Sequence, residues 1–137
     1  MPHYLDTSAF LKLVVDEKHS EELRAFVARP EYSPFSSDLL RTEGLRAARR
    51  HSPAALLRAR SILDAVTLVS ITPTICERAA ELDPSILRTL DAIHLATALA
   101  LADQLESVIT YDERLAEACS LHGVPVIAPQ ADMPLLP

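Results

Sequence analysis

Four carboxylates, Asp6, Glu43, Asp91 and Asp112, occupy positions where their chemistry could be shared. Asp91 lies near the start of LRTLDAIHLATALALADQL, which from Ala92 to Ala102 is mostly Ala and Leu, the composition of a helix buried on most sides. An unpaired carboxylate carried into such surroundings is strongly destabilising, so Asp91 needs a partner. Glu43 has Leu39, Leu40 and Ala47 one turn away, which sets it on or beside an inward helix face. Asp6 follows HYL and Asp112 follows VITY, and each precedes a helical pattern.

Every one of these acids also has an ordinary structural role open to it. Asp6 and Asp112 suit helix caps or first-turn positions, and Asp91 a helix start. Glu43 could sit at an edge and pair with Arg46. A single shared site would account for all four at once. Carboxylates gathered at one point repel each other unless a cation neutralises them or some stay protonated. Oxygen ligands without a Cys or His pattern favour Mg²⁺ or Mn²⁺. Such ions polarise phosphates and activate water, which is the chemistry of phosphodiester hydrolysis.

The elements that would position the acids follow from patterning. Strands are expected at HYLDT (3–7), YSPFSS (32–37), TLVSIT (67–72), SVITY (107–111) and VPVIA (124–128). Helices are expected at SAFLKLVVDE (8–17), SEELRAFVAR (20–29, capped by Ser20) and SDLLRTEGLRAARRH (37–51, capped by Ser37 or Asp38). Further helices are PAALLRARSILDAV, with Pro53 in its first turn, PTICERAAEL, the 87–105 stretch as the longest, and ERLAEACSLH before a Gly123 C-cap. Strands alternating with helices imply parallel strands with helical crossovers, an α/β doubly wound sandwich. Ligands of such sheets bind beyond the carboxyl ends of the strands, where Asp6 and Asp112 are expected.

The length of 137 residues, 49% of them hydrophobic, suits one domain over residues 1–129, with a Pro-rich tail at 130–137. The net charge of −6 argues against general affinity for nucleic acid. The middle of the chain departs from that average: Arg41, Arg46, Arg49, Arg50, Arg58 and Arg60 face one acid, Glu43. That run reads as a solvated helix face or as a track for phosphates. Cys76 and Cys119 have no metal-type spacing and read as small buried hydrophobes of a reducing, cytoplasmic protein. No apolar run is long enough for a membrane span, and the start of the chain lacks the pattern of a signal peptide.

YLDTSAFLKL, Glu43 after PFSSDLLRT, LRTLDAIHLATALAL and VITYDERLAEACSLHGVPVIAP together resemble PIN-domain proteins of the VapC type, the toxins of bacterial toxin–antitoxin pairs. The resemblance spans nearly the whole chain, and LDAIHLATA with TYDERLAEA is its most specific part. It implies a PIN-like three-layer α/β/α sandwich with a mostly parallel sheet, and an endoribonuclease using Mg²⁺ or Mn²⁺. By position it implies that Asp6 and Asp91 hold the metal, that Glu43 completes the shell or binds through water, and that Asp112 holds the metal's waters or a second ion. The hydroxyls of Thr7, Ser8 and Thr110 would lie near this site, with strand-end capping the simpler role for Thr7. His94 is expected to be an interior helix residue rather than a ligand. The resemblance further implies a cognate antitoxin, an RNA substrate such as tRNA or ribosomal RNA, and a homodimer. Leu11, Val14 and Val15 are candidates for the antitoxin groove or for the core. Aromatics are only 4% of the chain, so base stacking is a minor term.

Other readings make different demands. A phospho-acceptor receiver domain needs a lysine after a late strand, and the only lysines are Lys12 and Lys18. A non-catalytic PIN-fold binding module or a housekeeping PIN nuclease would share the same acids. Metal-dependent RNA cleavage separates the first from an enzyme, and an adjacent antitoxin gene separates the second from a toxin.

Overall fold

Tyr4 and Leu5 are neighbours in one strand, yet they belong to two different cores, as a two-residue period requires of a sheet covered on both faces. Leu5 and Ile109 pack with Ala9, Phe10, Val14, Leu23 and Leu40. Tyr4, Phe35 and Val108 pack with Leu95, Ala98, Leu115 and Cys119. The computed structural model describes residues 1–130, so the expected Pro-rich tail lies, from residue 131 on, outside the described residues.

In chain order the elements are β1 (Pro2–Leu5), α1 (Thr7–Val14), α2 (Ser20–Val27), β2 (Ser33–Ser37), α3 (Leu39–His51), α4 (Pro53–Asp64) and β3 (Thr67–Val69). They continue with α5 (Pro73–Glu81), α6 (Thr89–Leu99), a 3₁₀ turn at Ala102–Gln104, β4 (Ser107–Ile109), α7 (Glu113–Leu121) and β5 (Val126–Ile127). The sheet order is β3-β2-β1-β4-β5, and every pairing is parallel. Helices α1 to α4 cover one face and α5 to α7 the other, giving the expected three-layer α/β/α sandwich.

The chain builds outward from β1 through β2 to β3, then returns to place β4 on the other side of β1. The strand order therefore reverses between β1 and β4, and the crevice beyond their carboxyl ends is the usual ligand position of an open α/β sheet. Leu5 pairs with Ile109 in register, so Asp6 and Thr110 leave the sheet side by side.

Local chemistry sets the helix starts. Ser52 and Thr72 cap α4 and α5 through their hydroxyls, each followed by Pro at the first helical position. Gly44 lets α3 lie against α1, because a Cβ there would stand 2.6 Å from Phe10 Cε2. Gly123, at φ 71°, follows the last turn of α7 as expected of a C-terminal glycine.

Several expectations are corrected. The 87–105 stretch is not the longest helix: α6 has 11 residues against 13 in α3, and the chain breaks into the 3₁₀ turn with Ala102 at φ 50°. The Ala-Leu composition marked burial rather than length. Ser20 does not cap α2: His19 occupies the N-cap position without a side-chain capping hydrogen bond, and Ser20 Oγ donates to Val15 O and accepts from Glu17 N. Cys119 is buried but Cys76 is exposed, because α5 buries only the Ile75–Ala79 stripe.

Candidate active site

Asp6 follows β1 directly and caps α1, its Oδ1 accepting from Ala9 N at 2.9 Å. Its carboxylate is only 3% exposed and receives two hydroxyl donors. Ser8 Oγ lies 2.8 Å from Oδ1, and Thr110 Oγ1 donates to Oδ2 at 2.5 Å. Both hydroxyls themselves accept a backbone N–H, from Tyr111 and Asp112 at 3.0 Å each. Those amides turn the hydroxyl protons toward Asp6, an arrangement that suits an ionised acceptor. Burial pushes the Asp6 pKa up, while Thr110, Ala9 and Ser8 pull against it.

Glu43 reaches the same end of the sheet from α3. Its Oε1 accepts from Thr7 Oγ1 and from His94 Nε2, both at 2.7 Å. His94, 3% exposed in α6, places its Nδ1 2.5 Å from the Tyr4 hydroxyl. Nε2 must donate to the carboxylate, so Nδ1 accepts from Tyr4, and this one tautomer satisfies both contacts. Burial raises the Glu43 pKa, but the His94 and Thr7 hydrogen bonds outweigh it, and the net shift is downward. The expected alternative pairing with Arg46 does not form.

Asp91 and Asp112 share a third partner. Arg88 Nε lies 3.2 Å from Asp91 Oδ2, and its Nη2 lies 3.3 Å from Asp112 Oδ2. Asp112 also caps α7, its Oδ1 accepting from Arg114 N and Leu115 N. Asp91 is a first-turn acid of α6 rather than its cap, which is Arg88. Burial, followed by the neighbouring Asp112 charge, raises the Asp91 pKa against the pull of Arg88.

Asp6 and Glu43 thus lie beyond the end of β1 with separate partners, while Asp112, beyond β4, is joined to Asp91 through Arg88. Among the described residues, no three His, Cys, Asp or Glu side chains converge closely enough to hold a metal ion between them. The donor set is still that of a hard cation: carboxylates and hydroxyls, with His94 turned away into its own hydrogen bonds. Among the described residues, the hydrogen bonds engage only one oxygen of Glu43 and one of Asp91, and both side chains are partly exposed, at 23% and 14%.

The PIN domain family model matches residues 3–121. Ribonuclease VapC46 of Mycobacterium tuberculosis is 40% identical over 126 residues, covering 92% of this chain and 96% of the relative. The chain belongs to the PIN-domain family, among the VapC ribonucleases. Ribonuclease VapC47 of the same species is 35% identical over 132 residues, covering 93% and 97%. The fold superposes on a toxin–antitoxin complex from Klebsiella pneumoniae at a TM-score of 0.66 and 25% identity, covering 93% of this chain and 97% of that one. VapC ribonucleases generally depend on a divalent metal.

Within this VapC chain, three participants were not singled out by the sequence: Arg88, Tyr4 and the role of His94 as the link between Tyr4 and Glu43. Arg88 carried a readable signal, its i,i+3 spacing to Asp91 on a helix. Tyr4 carried none, because its partner lies 90 residues away. The arginine run divides. Arg46, Arg49 and Arg50 line one cleft of about 270 Å³. Arg58 donates to Val14 O at 2.8 Å and Arg41 lies 3.7 Å from Asp38, so those two have structural partners. Val14 is buried in the core, while Leu11 and Val15 pack against it half-buried. No helix among the described residues is long and apolar enough to cross a membrane.

Proposed function

We propose that this protein is the toxin of a toxin–antitoxin pair and acts as an endoribonuclease with Mg²⁺ or Mn²⁺ at the β1/β4 crevice. The observation that supports the reading is that Asp6 directly follows β1 and Asp112 lies just beyond β4, the strands where the sheet order reverses, in a chain 40% identical to a VapC ribonuclease. Asp6, Glu43 and Asp91 are the residues assigned to hold the cation, with Asp112 holding its waters. A bound divalent cation supplies polarisation of the scissile phosphate and activation of water.

The chain's own residues do the positioning. Ser8, Ala9 and Thr110 fix Asp6 and oppose the rise that burial imposes on its pKa. The Tyr4–His94 pair orients Glu43 through one carboxylate oxygen and, among the described residues, leaves the other without a hydrogen bond. Arg46, Arg49 and Arg50 form the remaining track for RNA phosphates on an otherwise acidic protein. A cognate antitoxin is the proposed inhibitor, a homodimer the proposed assembly, and the cytoplasm the proposed compartment.

The test is RNA cleavage by the purified protein with Mg²⁺, with Mn²⁺ and with chelator, alongside Asp6→Asn and Asp91→Asn. Cleavage by the parent that needs the metal and is lost in both variants, with far-UV circular dichroism unchanged, is the expected result. Full activity in both variants would sink the assignment. Growth arrest on expression, relieved by the product of an adjacent small gene, tests the toxin role.

A further inference from the structure

Arg88 stands at the end of a helix where its charge is least welcome. It is the N-cap of α6 and makes no side-chain capping hydrogen bond there. Ser, Thr, Asp or Asn would satisfy a free helix amide at that position, and Arg does not. Its positive charge also opposes the helix dipole, which favours anions at an N-terminus. Helix stability therefore gives no reason for this residue.

The contacts of its guanidinium do give one. Arg88 is forked between Asp91 and Asp112, at 3.2 and 3.3 Å. The two carboxylates come from different elements, one in the first turn of α6 and one capping α7. Among the described residues, no other cation forms an ion pair with either. Asp6 and Glu43, in contrast, are satisfied by hydroxyls, a backbone amide and an imidazole. Among the described residues, the only arginine or lysine paired with these four acids thus bridges the outer two carboxylates.

Resting on the reading that these acids hold a cation, we propose that Arg88 is the built-in counter-cation of the Asp91–Asp112 pair, displaced when a divalent ion engages both. Arg88 is then a positioning residue: it keeps the outer pair together in the metal-free protein and sets how readily that half of the site accepts a divalent ion. Its side chain is 61% exposed, so the fork is weakly held and can be released. A cleft of about 600 Å³, lined by Arg88 with Leu87, Arg114 and Leu121, gives the released side chain somewhere to turn.

Mn²⁺ titration of the full chain, followed by the electron paramagnetic resonance of free Mn²⁺, tests this with Arg88→Ala, Arg88→Lys and Arg114→Ala. Arg88→Ala should bind Mn²⁺ roughly two- to five-fold more tightly than the parent, within what an exposed ion pair can supply. Arg88→Lys, which keeps the charge, should stay closer to the parent than to Arg88→Ala. Arg114→Ala removes a nearby charge that pairs with neither carboxylate and should change affinity by less than about two-fold. A purely structural role predicts the reverse, because loosening the outer pair would weaken binding. Unchanged or weaker binding in Arg88→Ala overturns the inference, as does equal tightening in Arg114→Ala. RNA cleavage by the parent is read separately. Selective tightening without cleavage keeps this inference and removes the ribonuclease reading, and cleavage with unaltered Mn²⁺ affinity does the opposite. Absence of Mn²⁺ binding in every protein removes both.

Discussion

Replacing Thr110 by Val asks whether the buried Asp6 carboxylate depends on its hydroxyl donors. The exchange nearly conserves shape at a residue that is 1% exposed, and it removes both the 2.5 Å hydrogen bond to Asp6 Oδ2 and the acceptor of Asp112 N, the second loss adding about 0.5–1.5 kcal/mol whatever the charge on Asp6. A hydrogen bond to a charged group contributes about 1.5–3 kcal/mol. The added buried methyl returns roughly 0.8 kcal/mol. For ionised Asp6 the loss of that contact alone should cost roughly 1–2 kcal/mol net, a fall of some degrees in Tm for a domain of this size. With Asp6 protonated in acid, the lost bond is between neutral groups and contributes about 0.5–1.5 kcal/mol, which the methyl largely offsets. The pH dependence has a definite sign. Burial already raises the folded pKa of Asp6 above its ordinary value, and Thr110 is the first of the groups opposing that rise. A group with a raised folded pKa contributes stability below its unfolded value and loses it as the pH climbs through the folded value. Thr110→Val raises the folded pKa further, so its stability should fall more between pH 4 and pH 8 than the parent's does. Urea unfolding in the presence of chelator, followed by circular dichroism at both pH values, measures this. An equal cost at both pH values, or stabilisation at pH 8, would refute the dependence of the ionised carboxylate on Thr110.

Gly44→Ala should destabilise by up to about 2 kcal/mol in thermal melts, because its Cβ would meet Phe10 at 2.6 Å and the overpacking cost of about 1–3 kcal/mol exceeds the gain of about 1 kcal/mol in helix propensity. Tyr4→Phe should cost about 1–3 kcal/mol by leaving the buried His94 Nδ1 without its donor, and RNA cleavage should fall with it as Glu43 loses its orientation. Asp91→Asn should flatten the pH dependence of metal-free stability between pH 4 and pH 8, since the raised Asp91 pKa makes the parent lose stability as pH rises; an unchanged slope in urea titrations would count against it.

The fold was legible because its signals are local and periodic. Alternating strands and helices, with proline after a hydroxyl cap in α4 and α5, announced the crossovers, and the apolar pairs Leu5–Ile109 and Tyr4–Val108 only had to follow the pleat. Element lengths were less legible. The 87–105 stretch is rich in good helix formers, but α6 stops at Leu99, because the next residues must turn the chain back toward β4. Tertiary demand outweighed propensity there. The site was legible as a set of acids and opaque as a set of connections. Nothing in a linear chain states that a threonine beyond β4 holds an aspartate beyond β1, or that a tyrosine in β1 fixes a histidine in α6.

The structural and functional readings of the acids are not rivals. Asp6 and Asp112 each use Oδ1 to accept the backbone amides of the helix they cap. That use fixes the carboxylate plane and leaves Oδ2 for another partner, Thr110 in one case and Arg88 in the other. A cap is therefore a way of aiming an oxygen, and the helix amides that favour the anion also supply part of its compensation. Asparagine at either position keeps a capping oxygen and removes the charge. Loss of cleavage in Asp6→Asn without loss of the helix is accordingly the outcome that separates the two uses of one side chain.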